Sequence, residues 1–327
     1  PVGQRYVIED GYKADEDSVL IEKVCGMKSC LKDMSPIAIE KGFTEKYIKK
    51  GNNDLLVNNI LDSFERISRG KKLIVIEGTG HAGVGSVFGL SNAKVANLLG
   101  AKVVLVTAGG IGRPIDEIAL NMALFEKEGV EVIGVIVNKV LPSKYKKIRR
   151  IVKLGLKRKG IDLLGVIPYT PLLSLPLIRQ ILEEIDIELI SKRVGMHNKI
   201  KNILVGAMEP RTALSYIKNG TLLITPGDRE DLLMTLLSAH LLAKPKENIS
   251  IAGIVLTGGI VPDQKIMTLI EDAKIPVLLS KYHTYKTAAQ IHDLVVKIRP
   301  EDKEKVKLAT VLVEKYVDIK KMLSTLT

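Results

Sequence analysis

Glu77 ends the apolar run Leu73-Ile-Val-Ile76 and is followed at once by Gly78-Thr-Gly80. A carboxylate at the carboxyl end of a buried strand stands where ligands bind in open parallel sheets. It can hold Mg²⁺ directly or through water, while glycines beside it let backbone N–H groups approach phosphate. The alternative is a strand-end carboxylate satisfied by a neighbouring helix N-terminus. Gly109-Gly110-Ile-Gly112 repeats the device after the next apolar run, ahead of a helix with Pro114 in its first turn. Asn138-Lys139 closes a third run and Gly165-Val-Ile-Pro168 a fourth. A side-chain amide at Asn138 can pair with a purine edge as donor and acceptor together, or simply form a turn. His81 is the one imidazole of this region, and a lone histidine is more often structural. No catalytic residue is assigned.

Gly78-x-Gly80-x-x-Gly83 also has the spacing of a dinucleotide-binding turn. That device needs its third glycine to open a helix, whereas the next helical pattern starts near Ser91. The following apolar run ends in Thr107-Ala-Gly-Gly110, with no acidic residue for a ribose. A nicotinamide-dependent oxidoreductase is therefore only an alternative reading.

These residues need strands and helices to hold them. Buried strands are expected at Leu73–Ile76, Lys102–Val106, Glu131–Val137 and Asp162–Ile167, with helices at Asn92–Leu99, Pro114–Glu128 and Lys144–Arg158. Near-continuous apolar strands alternating with helices imply a parallel sheet covered on both faces. A second alternation follows. It has strands at Lys201–Val205, Thr221–Thr225, Ile251–Leu256 and Pro276–Leu279, and helices near Arg211–Lys218, Arg229–Leu242 and Gln264–Asp272. Ser191-Lys-Arg-Val-Gly-Met-His-Asn198 breaks the apolar pattern between the two, and Pro300 precedes a terminal helix running to about Leu323. The expected organisation is a first domain over 1–190, a linker over 191–199, a second domain over 200–300 and a C-terminal helix over 301–327.

The 327 residues are 46% hydrophobic and 26% charged, enough for ordinary cores. No apolar run approaches the roughly 20 residues that span a bilayer, and the N-terminus lacks a secretory pattern, so a cytoplasmic protein without a membrane partner is expected. Cys25 and Cys30 fit neither a zinc ribbon nor a redox pair and read as reduced structural thiols. The net charge of +12 concentrates between Leu141 and Gly160, where nine basic residues meet no acidic one. Ile148, Ile151, Val152 and Leu156 interleave at helical spacing, giving an amphipathic helix with a solvated basic face. With no Trp and four Phe there is little to stack bases on, so nucleic acid is not an expected partner.

In this order, Glu77-Gly-Thr-Gly, Gly109-Gly-Ile-Gly112, Gly134-Val-Ile-Val-Asn-Lys139 and Gly165-Val-Ile-Pro168 resemble the dethiobiotin synthetase-like P-loop ATPases. The likeness is closest to the version found at the N-terminal part of long bacterial phosphate acetyltransferases. Gly227-Asp-Arg229 followed by Leu256-Thr-Gly-Gly259 resembles a DRTGG domain. The resemblance implies an α/β fold, a parallel-sheet P-loop NTPase-like domain followed by a smaller α/β DRTGG domain. It implies Mg²⁺ and ATP as cofactors, with Glu77 and Asp17 on the metal and Gly78, Gly80, Gly109, Gly110, Asn138, Lys139 and Pro168 around the nucleotide. In the DRTGG half, Asp228, Arg229, Thr257, Gly258 and Gly259 are candidates for an unidentified small molecule. Asp228-Arg229 can bind an anion or pair internally, and Thr257-Gly-Gly259 offers a close-approach turn for a ligand or a second subunit. The implied role is nucleotide binding with regulation, linked to acetyl-phosphate or acetyl-CoA metabolism, in an expected homo-oligomer. A non-catalytic regulatory or oligomerisation protein is the alternative.

No Gly-x-x-x-x-Gly-Lys-Ser/Thr occurs among these residues, so the phosphate-cradling motif is absent from them. The family carries it on a first strand and helix, and the expectation is an N-terminal truncation of about 40 residues, one strand–loop–helix–strand unit. Tight ATP binding is then not expected of this chain, and acetyl transfer by it is not expected either. A domain lacking a central strand is expected to be less stable than its neighbour.

Overall fold

Val103–Ala108, Val132–Val140 and Leu163–Pro168 are rich in Val, Ile and Leu, and the side chains that alternate along them leave both faces apolar. Such strands are stable only when helices cover both sides. A computed structural model describes the chain except residues 4, 5, 10, 28, 29, 244–248, 295 and 327. It divides into two units, 1–170 with 298–327, and 171–297.

The first unit opens with β1 (Val2–Gly3), a hairpin of β2 (Tyr6–Glu9) and β3 (Tyr12–Asp15), then α1 (Glu16–Cys25), α2 (Leu31–Met34) and β4 (Ile37–Ala38). Strand β4 pairs in parallel with β1. Helices α3 (Phe43–Lys50), α4 (Asp54–Ser68) and α5 (Asn92–Leu98) follow. Phe88 is buried against Phe43 and Tyr47, both edge-on at 5.3 and 5.2 Å. The parallel sheet β5 (Val103–Ala108), β6 (Val132–Val140), β7 (Leu163–Pro168) is joined by α6 (Gly112–Lys127) and α7 (Tyr145–Lys157). Ile148, Val152 and Leu156 of α7 are buried with Ile118 of α6 against Val135 and Val137 of β6. The basic residues of α7 thus fall on its outer side, as the spacing predicts.

One expected strand does not form. Leu73–Ile76 is extended but pairs with no strand among the described residues, and Val75 is 86% exposed. An extended segment becomes a strand only through a neighbour's ladder of hydrogen bonds, and this one has none. Glu77 therefore does not sit at the end of a buried strand.

The second unit comprises α8 (Pro171–Ser174), α9 (Ile178–Glu184), β8 (Glu188–Leu189), β9 (Asn202–Val205), α10 (Pro210–Leu214), β10 (Thr221–Pro226), α11 (Glu230–Leu242), β11 (Ile251–Thr257), α12 (Gln264–Asp272), β12 (Val277–Leu279) and α13 (Thr284–His292). Its sheet runs β8-β12-β11-β10-β9, parallel except for β8. Separate apolar clusters fill the two faces, one under α10, α11 and α12 and one under α9 and α13. Residues 191–199, expected as a linker, lie inside this unit. The Ser191 hydroxyl accepts from the Val277 backbone N–H, and Asn198 Nδ2 donates to the Ala252 carbonyl, both at 2.9 Å.

The expected single terminal helix is two, α14 (Lys303–Tyr316) and α15 (Ile319–Ser324). Between them Val317 bridges to Gly165, and the Asp318 N–H donates to the Leu164 carbonyl at 2.8 Å. The break satisfies the open edge of β7, which a continuous helix would leave unpaired. No helix among the described residues is long and apolar enough to cross a membrane. Cys25 and Cys30 are both free and exposed.

Near the end of α11, His240 Nδ1 accepts from the Ile251 N–H at 3.1 Å, and burial pushes its pKa below the ordinary value. Above the unfolded pKa of about 6.5 the ring is neutral in both states and the bond is intact. As pH falls below that value the unfolded chain takes up the proton first, so stability is lost toward the lower folded pKa. Chemical denaturation of the second unit should show falling stability between pH 7 and 5, and His240→Asn, which keeps an acceptor, should flatten that fall.

Candidate functional site

The register β5–β6–β7 decides which sequence-predicted residues meet. Ala108 lies opposite Asn138, and Val140 opposite Pro168. Gly109, Asn138, Lys139 and Pro168 therefore share the carboxyl edge of one sheet, with Gly110 one residue on. A Cβ at Gly109 would lie 2.8 Å from Val140 Cα and 2.9 Å from the Lys139 carbonyl, so only glycine allows this approach. Tyr169 closes the edge by donating its N–H to the Val140 carbonyl at 2.7 Å.

Asn138 Oδ1 accepts from the Lys139 N–H at 2.8 Å, which leaves its Nδ2 as the end for a further acceptor. Lys139 itself is left-handed, with φ 57°, a conformation that costs a non-glycine residue about 1–2 kcal/mol. Nothing in the sequence marks that strain. Arg113 pairs with Glu117 at 2.7 Å on the exposed face of α6.

The loop over 77–85 is held separately. Asn92 Nδ2 donates to the carbonyls of Thr79 and His81, each at 2.9 Å. Asn121 Oδ1 accepts from the Ala82 N–H at 2.7 Å, and Thr79 Oγ1 donates to the Val2 carbonyl at 3.1 Å. Gly78 packs against the Asn92 side chain, which a Cβ would approach to 3.0 Å. His81 Nδ1 accepts from the Gly83 N–H at 3.2 Å, so the imidazole caps its own turn. Asn92 and Asn121 are the residues that sequence reasoning missed here. Asn92 had one available signal, its place directly after the helix-capping Ser91.

Asp17, expected beside the metal, is the second residue of α1, its N–H donating to Asp15 Oδ1 at 3.0 Å. No group of three or more His, Cys, Asp or Glu fit to hold a metal occurs among the described residues.

In the second unit Arg229 forks onto Asp231, Nε to Oδ1 at 2.9 Å and Nη2 to Oδ2 at 3.0 Å. It also donates to the Met208 carbonyl at 3.1 Å. The pairing holds the Asp231 carboxyl below its ordinary pKa. Asp228 is exposed. Thr257 is buried, its hydroxyl 2.8 Å from that of Thr284, while the Gly258 and Gly259 N–H groups donate to the Tyr282 and Ser280 carbonyls. A Cβ at Gly227 would fall 1.8 Å from the Ile260 carbonyl oxygen, so the two signature turns are clamped together. Of the alternatives left open for Arg229, internal pairing is the one observed.

Family models match residues 6–176 to the AAA domain and residues 180–294 to the DRTGG domain. The chain belongs to the AAA domain family, in its dethiobiotin synthetase-like form, and carries a DRTGG domain after it. It is similar to the phosphate acetyltransferase of Synechocystis sp., 30% identical over 84% of this chain and 40% of that protein. The phosphate acetyltransferase of Nitratidesulfovibrio vulgaris is 26% identical over 93% of this chain and 44% of its own length. For that of Pseudomonas putida the figures are 26%, 97% and 46%. The chain thus spans less than half the length of these curated relatives. A solved structure of the CBS and DRTGG domains of the regulatory region of Clostridium perfringens pyrophosphatase, complexed with its activator diadenosine tetraphosphate, covers 64% of this chain at 14% identity. Its TM-score of 0.30 is too low to transfer any geometry.

Asn92→Ala should leave the Thr79 and His81 carbonyls without their side-chain donor. A loss of about 1–3 kcal/mol in the stability of the first unit is expected in urea unfolding, with the second unit unchanged.

Proposed function

We propose that this chain is a nucleotide-binding regulatory region of a phosphate acetyltransferase-like protein, its AAA unit meeting Mg·ATP and its DRTGG unit carrying the regulation. The observation that supports this best is the meeting of Gly109, Asn138, Lys139 and Pro168 at one carboxyl sheet edge, where open α/β sheets take their ligands. Asn138 would offer its amide to the base, Pro168 would line the base from the next strand, and Lys139 would neutralise phosphate charge. The backbone at Gly109 and Gly110 would approach the nucleotide without side chains in the way. Glu77 would hold the outer shell of Mg²⁺, which supplies charge neutralisation on the phosphate oxygens.

A second reading, a scaffold that does not turn over nucleotide, is favoured by a specific observation. No Gly-x-x-x-x-Gly-Lys-Ser/Thr occurs in these 327 residues, and that motif supplies most of the phosphate contacts in such folds. The dinucleotide reading loses its support because the Gly78–Gly83 turn follows no strand.

Calorimetric titration of the chain with Mg·ATP separates these. Weak, Mg²⁺-dependent binding is expected, weakened about 3–10-fold by Asn138→Ala, the worth of one neutral hydrogen bond. Equal binding by the variant would contradict the placement of the base, and an absence of binding would favour the scaffold.

A further inference from the structure

The stretch Arg193–His197 folds back onto α9 and forms with it a half-open cavity of about 370 Å³ within the second unit. Its lining comprises Arg179, Leu182 and Glu183 from α9, and Arg193, Met196 and His197 from the returning loop. The wall is fixed by backbone bonds, the Arg179 N–H donating to the Met196 carbonyl at 3.0 Å and the Ile178 N–H to the Asn198 carbonyl at 3.3 Å. Met196 is buried, while Arg193 and His197 are exposed at the mouth.

We propose that this cavity is a binding site for a small organic anion, a phosphate or carboxylate head with a short apolar body. Two guanidinium groups and an imidazole face one carboxylate, so the lining is net cationic. Arg179, its side chain 30% exposed, lies 3.6 Å from Glu183, so one guanidinium of the lining already has a carboxylate beside it. A planar guanidinium matches phosphate or carboxylate oxygens in pairs, and it does so more strongly in a recess than on an open surface. Leu182 and Met196 give the apolar part something to pack on, and methionine adapts to irregular shapes. The volume stands near the lower end of the roughly 300–1,000 Å³ of small-molecule sites, which suits a short ligand and not a dinucleotide. The basic face of α7 carries more charge, but on exposed side chains.

The site rests on the reading of the DRTGG unit as the ligand-receiving part, and it lies apart from that domain's signature turns. Its test needs neither Mg·ATP nor acetyl transfer, so its failure is distinct from failure of the nucleotide reading. The probe is the 327-residue chain labelled at its methionine methyls, with the Met196 resonance identified by Met196→Leu and titrated separately with inorganic phosphate and with butyrate. A saturable shift of Met196 with either probe is expected, its midpoint raised at least tenfold in Arg193→Gln. Phosphate alone would identify a phosphorylated ligand, and butyrate alone a carboxylated one. The Met208, Met234 and Met267 signals report that the variant is folded. No saturable shift with either anion, an equal shift in Arg193→Gln, or a uniform drift of all methionine signals with ionic strength would each overturn the proposal.

Discussion

Parallel strands admit only crossover connections, and that constraint arranges the chemistry of this molecule. Because β5, β6 and β7 all run the same way, every loop that leaves them leaves at one edge. Gly109, Asn138 and Pro168 are about 30 residues apart in sequence, one strand–helix repeat each. They become neighbours through register alone, with no side-chain contact needed to bring them together. The same constraint shapes the second unit, where β11 is buried along its whole length and the signature turns after β10 and β11 clamp each other at Gly227 and Ile260.

The constraint fails where a strand has no neighbour. Leu73–Ile76 has the composition of a buried strand yet pairs with nothing described, and Val75 stands in solvent. The loop after it keeps its shape by other means, through Asn92, Asn121 and Thr79. The loop that follows Glu77 is thereby tied to Val2 through Thr79. The candidate residues thus fall into two groups: a sheet edge fixed by register, and a loop fixed by amide side chains.

What was legible in the sequence was local and periodic. The amphipathic pattern of α7 names the buried Ile148, Val152 and Leu156 directly, and the apolar runs place β5, β6, β7, β10 and β11 to within a few residues. What was not legible depends on distant backbone. No local signal says that Leu73–Ile76 lacks a partner, or that Val317 leaves a helix to pair with Gly165. The polar stretch 191–199 looks like a linker by composition, but its side chains bond to Val277 and Ala252, far along the chain. Arg229 illustrates the same limit in the site. Its sequence leaves anion binding and internal pairing both open, and only the fold names the partners, Asp231 and a carbonyl.

The central claim is that nucleotide meets the first unit at the carboxyl edge of β5–β6–β7. Amide chemical-shift mapping with Mg·ATP tests it most directly. The account predicts perturbations grouped at residues 109–112, 138–140 and 168–169, with the turns at 227–229 and 257–259 unmoved. Shifts confined to the second unit, or scattered over the basic face of α7 while the sheet edge stays silent, would contradict it.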